Sequence, residues 1–187
     1  MVRSVTTRFL GLVFVALSLG ASACTSSDTT ENPADSVGVQ EDTAEEAAKA
    51  QEAANRDLLH RYHVEVWEQH HLEKAADYLG PQFMSHAYPV SIPNGQMAGP
   101  DFMMKFFAAF PDLTSHEDAI LSNGDLVSLQ WTIRGTQTVD FFGIAPTGRP
   151  IQVSGMDVLR VQDGKFVEQW GGVADQMDKV IQQLTSK

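Results

Sequence analysis

Asp157 is the residue whose setting most invites chemistry in this chain of 187 residues. Residues 149–162 alternate strictly, with Ile151, Val153, Gly155, Asp157, Leu159 and Val161 in one set and Gln152, Ser154, Met156, Val158, Arg160 and Gln162 in the other. An extended strand sends successive side chains to opposite faces, so the first set forms an apolar face on which Asp157 is the one charged member. A carboxyl placed there loses hydration, which favours the neutral acid and lifts its pKa toward the range useful for general acid–base work. Counting outward from a turn at Asp163-Gly164 sets Asp157 opposite Trp170, and Leu159 opposite Glu168, on that same inner face. Trp131, from the neighbouring strand, falls on it too. The two indoles fit either a core or a platform for a ligand. The aspartate fits either a proton-transfer group or a structural acid satisfied by a nearby hydroxyl, amide or backbone N–H.

The other chemistry-bearing residues form no such constellation. There are six histidines. His60 and His63 have the i, i+3 spacing of a helix face and His70-His71 lie at the end of the same helix, but no carboxylate–histidine signature accompanies them, so no metal site is expected. His63 lies on an apolar stripe, as a core histidine or a pocket residue. His60 belongs to the helix surface, and His70 and His71 to a loop. Neither a G-x-S-x-G nucleophile motif nor a phosphate-cradling glycine loop is present, and no cofactor is expected. The single cysteine, Cys24, excludes an intramolecular disulfide and a cysteine-rich zinc site.

These residues need a scaffold, and the periodicity supplies one. Leu59, Tyr62, His63, Val66 and Trp67 recur at helical spacing from a helix that begins near Glu45. Leu72–Leu79 reads as a second short helix stopped by Gly80-Pro81, and Gln82–Tyr88 as a short extended piece. Gly99-Pro100-Asp101 opens a third helix with Phe102, Phe106 and Phe110 on one side. Four strands follow, at about His116–Leu121, Leu126–Thr138, Arg149–Gln162 and Lys165–Gly172, with Asn123-Gly124 and Asp163-Gly164 as hairpin turns. Ala174–Leu184 closes the chain as an amphipathic helix, with Asp175 expected to cap it. Helices followed by an antiparallel meander give an α+β order.

The amino terminus carries an address. Residues 1–23 have Arg3 and Arg8, an apolar run at Phe9–Leu19 too short to span a bilayer, and the small residues Gly20-Ala21-Ser22-Ala23, the anatomy of an export signal. Cys24 directly after them resembles a lipobox cysteine, with Ala21 where Leu is usual. The reading is a cleaved signal, a lipidated Cys24 as mature terminus, and a protein exported and anchored to the cell membrane or outer membrane. Ordinary cleavage at the Ala-x-Ala site is the alternative. Residues 24–44 hold no Lys or Arg and read as a disordered acidic tether, leaving 45–187 as the folded domain. The formal net charge is −11, and −13 once Arg3 and Arg8 depart with the signal. That charge repels phosphate backbones and argues against nucleic acid as a partner.

Several runs together resemble the SnoaL-like polyketide cyclase family. They are Arg61-Tyr62-His63-Val64-Glu65-Val66-Trp67, Phe83-Met84-Ser85-His86, Gly135-Thr136-Gln137-Thr138, residues 142–149, Gly155-Met156-Asp157-Val158-Leu159-Arg160, and residues 163–170 with Ala174-Asp175 beyond. The resemblance covers about Asn55 to Leu184. It implies the cone-like fold shared with nuclear transport factor 2, in which N-terminal helices pack against a curved antiparallel sheet around a pocket. It also implies metal-free acid–base closure of polyketide esters, with Asp157 as the acid/base and His86 pointing into the pocket as a donor to a carbonyl or enolate oxygen. Gln137 stands where Gly-Thr-His is common, and His63 where the helix usually has Tyr, so both are candidate substrate contacts with Trp131 and Trp170. An amide can donate to an oxyanion but cannot shuttle a proton near neutrality.

Three functions fit: cofactor-free cyclase or isomerase chemistry on a small carbonyl or ester compound, non-catalytic binding of a small apolar molecule at the cell envelope, or a homodimer formed through the sheet face bearing Gln130, Thr132, Arg134, Gln152 and Arg160. Export argues mildly against a role in a polyketide pathway, whose substrates arise in the cytoplasm.

Overall fold

A computed structural model describes residues 33–87 and 100–186. The export signal and Cys24 lie outside them. Helix α1 runs from Pro33 to Tyr62 and passes into one π-helical turn, His63–Glu68. A 3-10 helix at Leu72–Asp77 leads into strand β1, Leu79–Ser85. Helix α2 (Pro100–Ala109) precedes β2 (Thr114–Asn123), β3 (Leu126–Thr136), β4 (Pro150–Gln162) and β5 (Lys165–Gly171). A 3-10 turn at Val173–Gln176 and helix α3, Met177–Thr185, complete the chain.

The five strands form one sheet in the order β1-β5-β4-β3-β2. β2, β3, β4 and β5 are a continuous antiparallel meander, and β1 joins β5 in parallel. One sheet face carries Val127, Leu129, Trp131, Ile133, Ile151, Val153, Leu159 and Val161, all buried. Alternation therefore phases β3 and β4 as the sequence predicts. The helices cover that face with Leu59, Val66, Phe102, Phe106 and Phe110, and α3 adds Met177, Val180 and Leu184. Asn55, buried on α1, donates to the Gly124 carbonyl at 2.9 Å and pins the helix to the β2–β3 turn.

Four local expectations need correction. Residues 33–44, expected within a disordered tether, form the opening turns of α1. The following Glu45–Ala54 run is rich in Ala and Glu, strong helix formers that let the helix grow outward from its packed end. Gly80 and Pro81 do not stop a helix but lie inside β1. A Cβ at Gly80 would stand 3.2 Å from Val167 Cγ1, so glycine permits the close approach to β5, and Pro81 is tolerated because β1 is an edge strand. Asp175 makes no cap, for neither helix start near it has a side-chain cap hydrogen bond.

The fourth correction bears on the site. Pairing from the Asp163-Gly164 turn holds for Gln162 with Lys165 and Val161 with Phe166, then slips by one residue. Val167 is the extra residue of a β-bulge, so Arg160 faces Glu168, Val158 faces Trp170 and Asp157 faces Gly171. A one-residue slip exchanges the two faces of a strand. Gln169 turns inward with Leu159, and Glu168 and Trp170 turn outward.

Candidate functional site

Asp157 sits in the middle of β4 on the inner face, at the floor of a cavity of about 80 Å³ lined by Tyr62, Trp67, Phe83, Phe102, Leu159 and Val173, among others. The residue keeps some accessible surface because it borders this space, while protein surrounds the carboxyl. Gln169 Nε2 donates to Asp157 Oδ1 at 2.9 Å. Burial pushes the Asp157 pKa up from 3.8 to about 6. The Gln169 amide and the Trp131 indole draw it partly back, and the charge of Asp175 adds to the rise. Burial is the dominant cause and hydrogen bonding to the charged form opposes it, the balance that leaves an acid poised close to neutrality. The Tyr62 hydroxyl on the same cavity has its pKa raised, first by burial and then by the Asp157 charge. It keeps its proton and serves as a donor.

Two glycine seats shape the floor. Trp131 pairs with Gly155 across β3 and β4, and its indole lies on that glycine: a Cβ there would be 2.5 Å from Trp131 Cζ2. At the end of β5, Gly171 has φ +79° and Gly172 φ +115°, conformations that favour glycine. A Cβ on Gly172 would come 2.8 Å from Asp157 Oδ1 and 3.2 Å from Gln169 Nε2. The Gly-Gly pair thus brings the backbone against the carboxyl and its amide partner. Beyond Asp157 a smaller chamber of about 10 Å³ is bordered by His63, Ser115, Trp131 and Ile133.

Of the residues singled out from the sequence, Asp157, Trp131 and His63 come together. His63 is 2 % exposed, and burial lowers its pKa, which keeps the imidazole neutral. The other three go elsewhere. His86 does not point into the pocket: it stacks on Trp170 with ring centroids 5.2 Å apart, and its Nε2 lies 2.8 Å from Glu168 Oε1 on the outer face. Its neighbours Ser85 and Ala87 line the cavity instead, because β1 alternates. Trp170 is outward through the bulge, with the Arg160 guanidinium 5.6 Å from its ring. Glu168 pairs with His86 and Arg160, and the His86 hydrogen bond chiefly holds its carboxyl below the usual range. Gln137 is fully buried but used up in the β3–β4 loop. Its Nε2 donates to the Val139 and Ile144 carbonyls, and its Oε1 accepts from the Thr147 amide and hydroxyl. No donor remains for a substrate.

Gln169, Gly171 and Gly172 are the site residues the sequence reading passed over. The doubled glycine directly after a strand was the available signal, since it marks close backbone approach. Gln169 had none, because the bulge that turns it inward consists of an ordinary valine. Among the described residues, no three His, Cys, Asp or Glu side chains gather as a metal site.

A pocket over an antiparallel sheet with one buried aspartate is the geometry in hand, and a family model for SnoaL-like polyketide cyclase matches residues 57–184. The chain belongs to the SnoaL-like polyketide cyclase family. Solved structures agree. IdmH of Streptomyces antibioticus, a candidate polyketide cyclase, is 27% identical with a TM-score of 0.51, covering 66% of this chain and 96% of its own. AclR of Streptomyces galilaeus, a candidate hydroxylase, is 27% identical with a TM-score of 0.54, covering 64% and 88%. A candidate SnoaL-like polyketide cyclase from Jannaschia Sp. CCS1, 20% identical with a TM-score of 0.57 over 73% and 94%, shares the fold. No curated protein matches. The SnoaL-like span holds every residue of the cavity named above, and its nuclear transport factor 2-like fold is that of a small-molecule-binding or cyclase and isomerase scaffold.

Proposed function

We propose that this SnoaL-like domain performs cofactor-free acid–base chemistry, of cyclase or isomerase type, on a small carbonyl or ester compound. The observation that carries the reading is Asp157: a carboxyl at the floor of a largely apolar cavity, with its pKa near 6 and one oxygen held by Gln169. A group with that affinity takes a proton from carbon and returns it within one turnover, and the Tyr62 hydroxyl supplies a second donor beside it. The cavity, as lined by the described residues, encloses about 80 Å³. That is roughly half the ~150 Å³ of a cavity that admits benzene, so only the reacting end of a larger ligand enters and the rest extends through the mouth.

Asp157→Asn tests this. The substitution keeps shape and much of the hydrogen bonding but removes proton transfer, with an expected loss of about 10²–10⁴ in turnover and a much smaller change in ligand affinity. Full activity in a folded Asn variant would exclude the catalytic role. One observation favours the other reading, a binding module that holds an apolar ligand unchanged: His86 faces outward and Gln137 is locked in its loop, so neither assists Asp157. In that case the same variant alters affinity alone, with no turnover to lose. We also propose that the domain is exported and held at the cell envelope by lipid on Cys24.

A further inference from the structure

Resting on the reading of the cavity as a small-molecule site, a second inference concerns the chamber beneath it. Among the described residues, two buried side-chain polar atoms have no hydrogen-bond partner, His63 Nε2 and Trp131 Nε1. One belongs to the π-helical turn and the other to β3, yet both residues border the same chamber, with Asp157 and Ser115. Buried polar groups are seldom left unpaired, so two around one space point to something polar that belongs in it.

The chemistry of each wall narrows what that is. An indole N–H can only donate. The Trp131 N–H is near enough to Asp157 to influence its carboxyl, but the two complete no hydrogen bond. His63 Nε2 has Glu68 Oε1 at 3.6 Å, beyond hydrogen-bond length. Gly155 seats the indole against the sheet, so the N–H cannot swing away to find another acceptor. The chamber measures about 10 Å³, the lower limit for a single water-sized atom and far too little for a ring.

We propose that this chamber is a one-oxygen subsite, in which the Trp131 indole N–H donates to an oxygen atom that also contacts the Asp157 carboxyl. The oxygen comes either from a carbonyl reaching down from the larger cavity or from a water molecule. A carbonyl oxygen takes its second hydrogen bond from protonated Asp157, and a water donates to the ionised carboxylate. Where the oxygen is the ligand's, the subsite selects ligands by a carbonyl at the inserted end, since an oxygen-free isostere leaves the indole N–H unpaired.

The test reads the indole resonances of Trp67, Trp131 and Trp170 in the ¹⁵N-labelled protein by NMR, assigned through the backbone. The probes are cyclohexanone and its oxygen-free analogue cyclohexene. If the oxygen is the ligand's, cyclohexanone moves the Trp131 Hε1 proton downfield and cyclohexene does not, and Trp131→Phe weakens cyclohexanone about five-fold while leaving cyclohexene nearly unchanged. If it is water, Trp131 Hε1 gives a cross-peak to a long-lived water in the ligand-free protein that persists when either probe binds. Probes that shift cavity methyls such as those of Leu159 and Val173, with Trp131 Hε1 unmoved and no water cross-peak, overturn the subsite and leave the pocket reading standing. A water cross-peak with neither probe bound sustains the subsite and counts against the pocket reading. The wild-type spectra decide the matter even if Trp131→Phe fails to fold.

Discussion

Asp157 carries a free-energy consequence that follows from its direction of shift alone. Its carboxyl binds a proton more tightly in the folded chain, at about 6, than the 3.8 of an unperturbed aspartate. A raised pKa means the folded state holds the extra proton between those values, so the stabilisation is complete below pH 4 and is lost as pH climbs through 6. The span corresponds to about 3 kcal/mol as an upper bound, because the residue borders an open cavity. Wild type should therefore show a melting temperature that falls from pH 4 to pH 7 by more than Asp157→Asn does. The two curves are measured by calorimetry, and parallel curves would show that the carboxyl is not desolvated. An enzyme using this group as its base should lose activity on the acid side with a midpoint near the same pH.

Elements decide which residues Asp157 meets, and here the sequence was legible in part. The alternation of β3 and β4 could be read because each strand has one apolar and one polar set, and that reading put Trp131 and Asp157 on the inner face. β5 offers no such contrast. Phe166, Glu168 and Trp170 in one phase and Val167, Gln169 and Gly171 in the other each mix apolar with polar, so only the turn suggested a register, and the bulge overrode it. His86 was misplaced for a related reason: a histidine at the end of a short strand is one residue from either face. The family pattern singled out Gln137 by its position, but a position says nothing of how many partners an amide already has. Gln137 organises the β3–β4 loop through four hydrogen bonds. Gln137→Leu should lower stability by about 2–4 kcal/mol, since it strands the Thr147 amide and two carbonyls. Binding of a cavity probe should change little. Denaturant titration and probe affinity together check this, and a variant that kept its stability but lost binding would return Gln137 to the site.

At the scale of the whole molecule, the SnoaL-like span begins at residue 57, in the last two turns of α1, and farther up the helix Thr43–Ala50 are all exposed. An exposed helix adds length without adding core, which suits a spacer between a surface and a pocket. The lipid reading predicts that Cys24→Ser shifts the protein from the membrane fraction to the soluble fraction, or stalls removal of residues 1–23. Normal processing with unchanged membrane retention would exclude it. Cavity binding should be the same in both forms, since Cys24 and the described site share no residue.

The bulge at Val167 makes the composition of the site depend on the count of residues in the β5 ladder, which substitution scanning does not sample. Deleting Val167 would let β5 pair regularly with β4 from the turn onward and keep Gln169 opposite Leu159 and Gly171 opposite Asp157. Drawing Val167 into the ladder opposite Arg160 would instead set Glu168 opposite Leu159 and Trp170 opposite Asp157 and expel Gln169. In that slipped register the cavity would gain an anion beside its acid and lose the amide donor, while every residue kept its identity. Loss of the Val167 codon, by contrast, should leave probe binding largely intact, and a deletion variant that folds but no longer binds would show that the bulge does more than set the register. Between relatives, an alignment gap moved by one position in this strand names the wrong residue as the aspartate's partner.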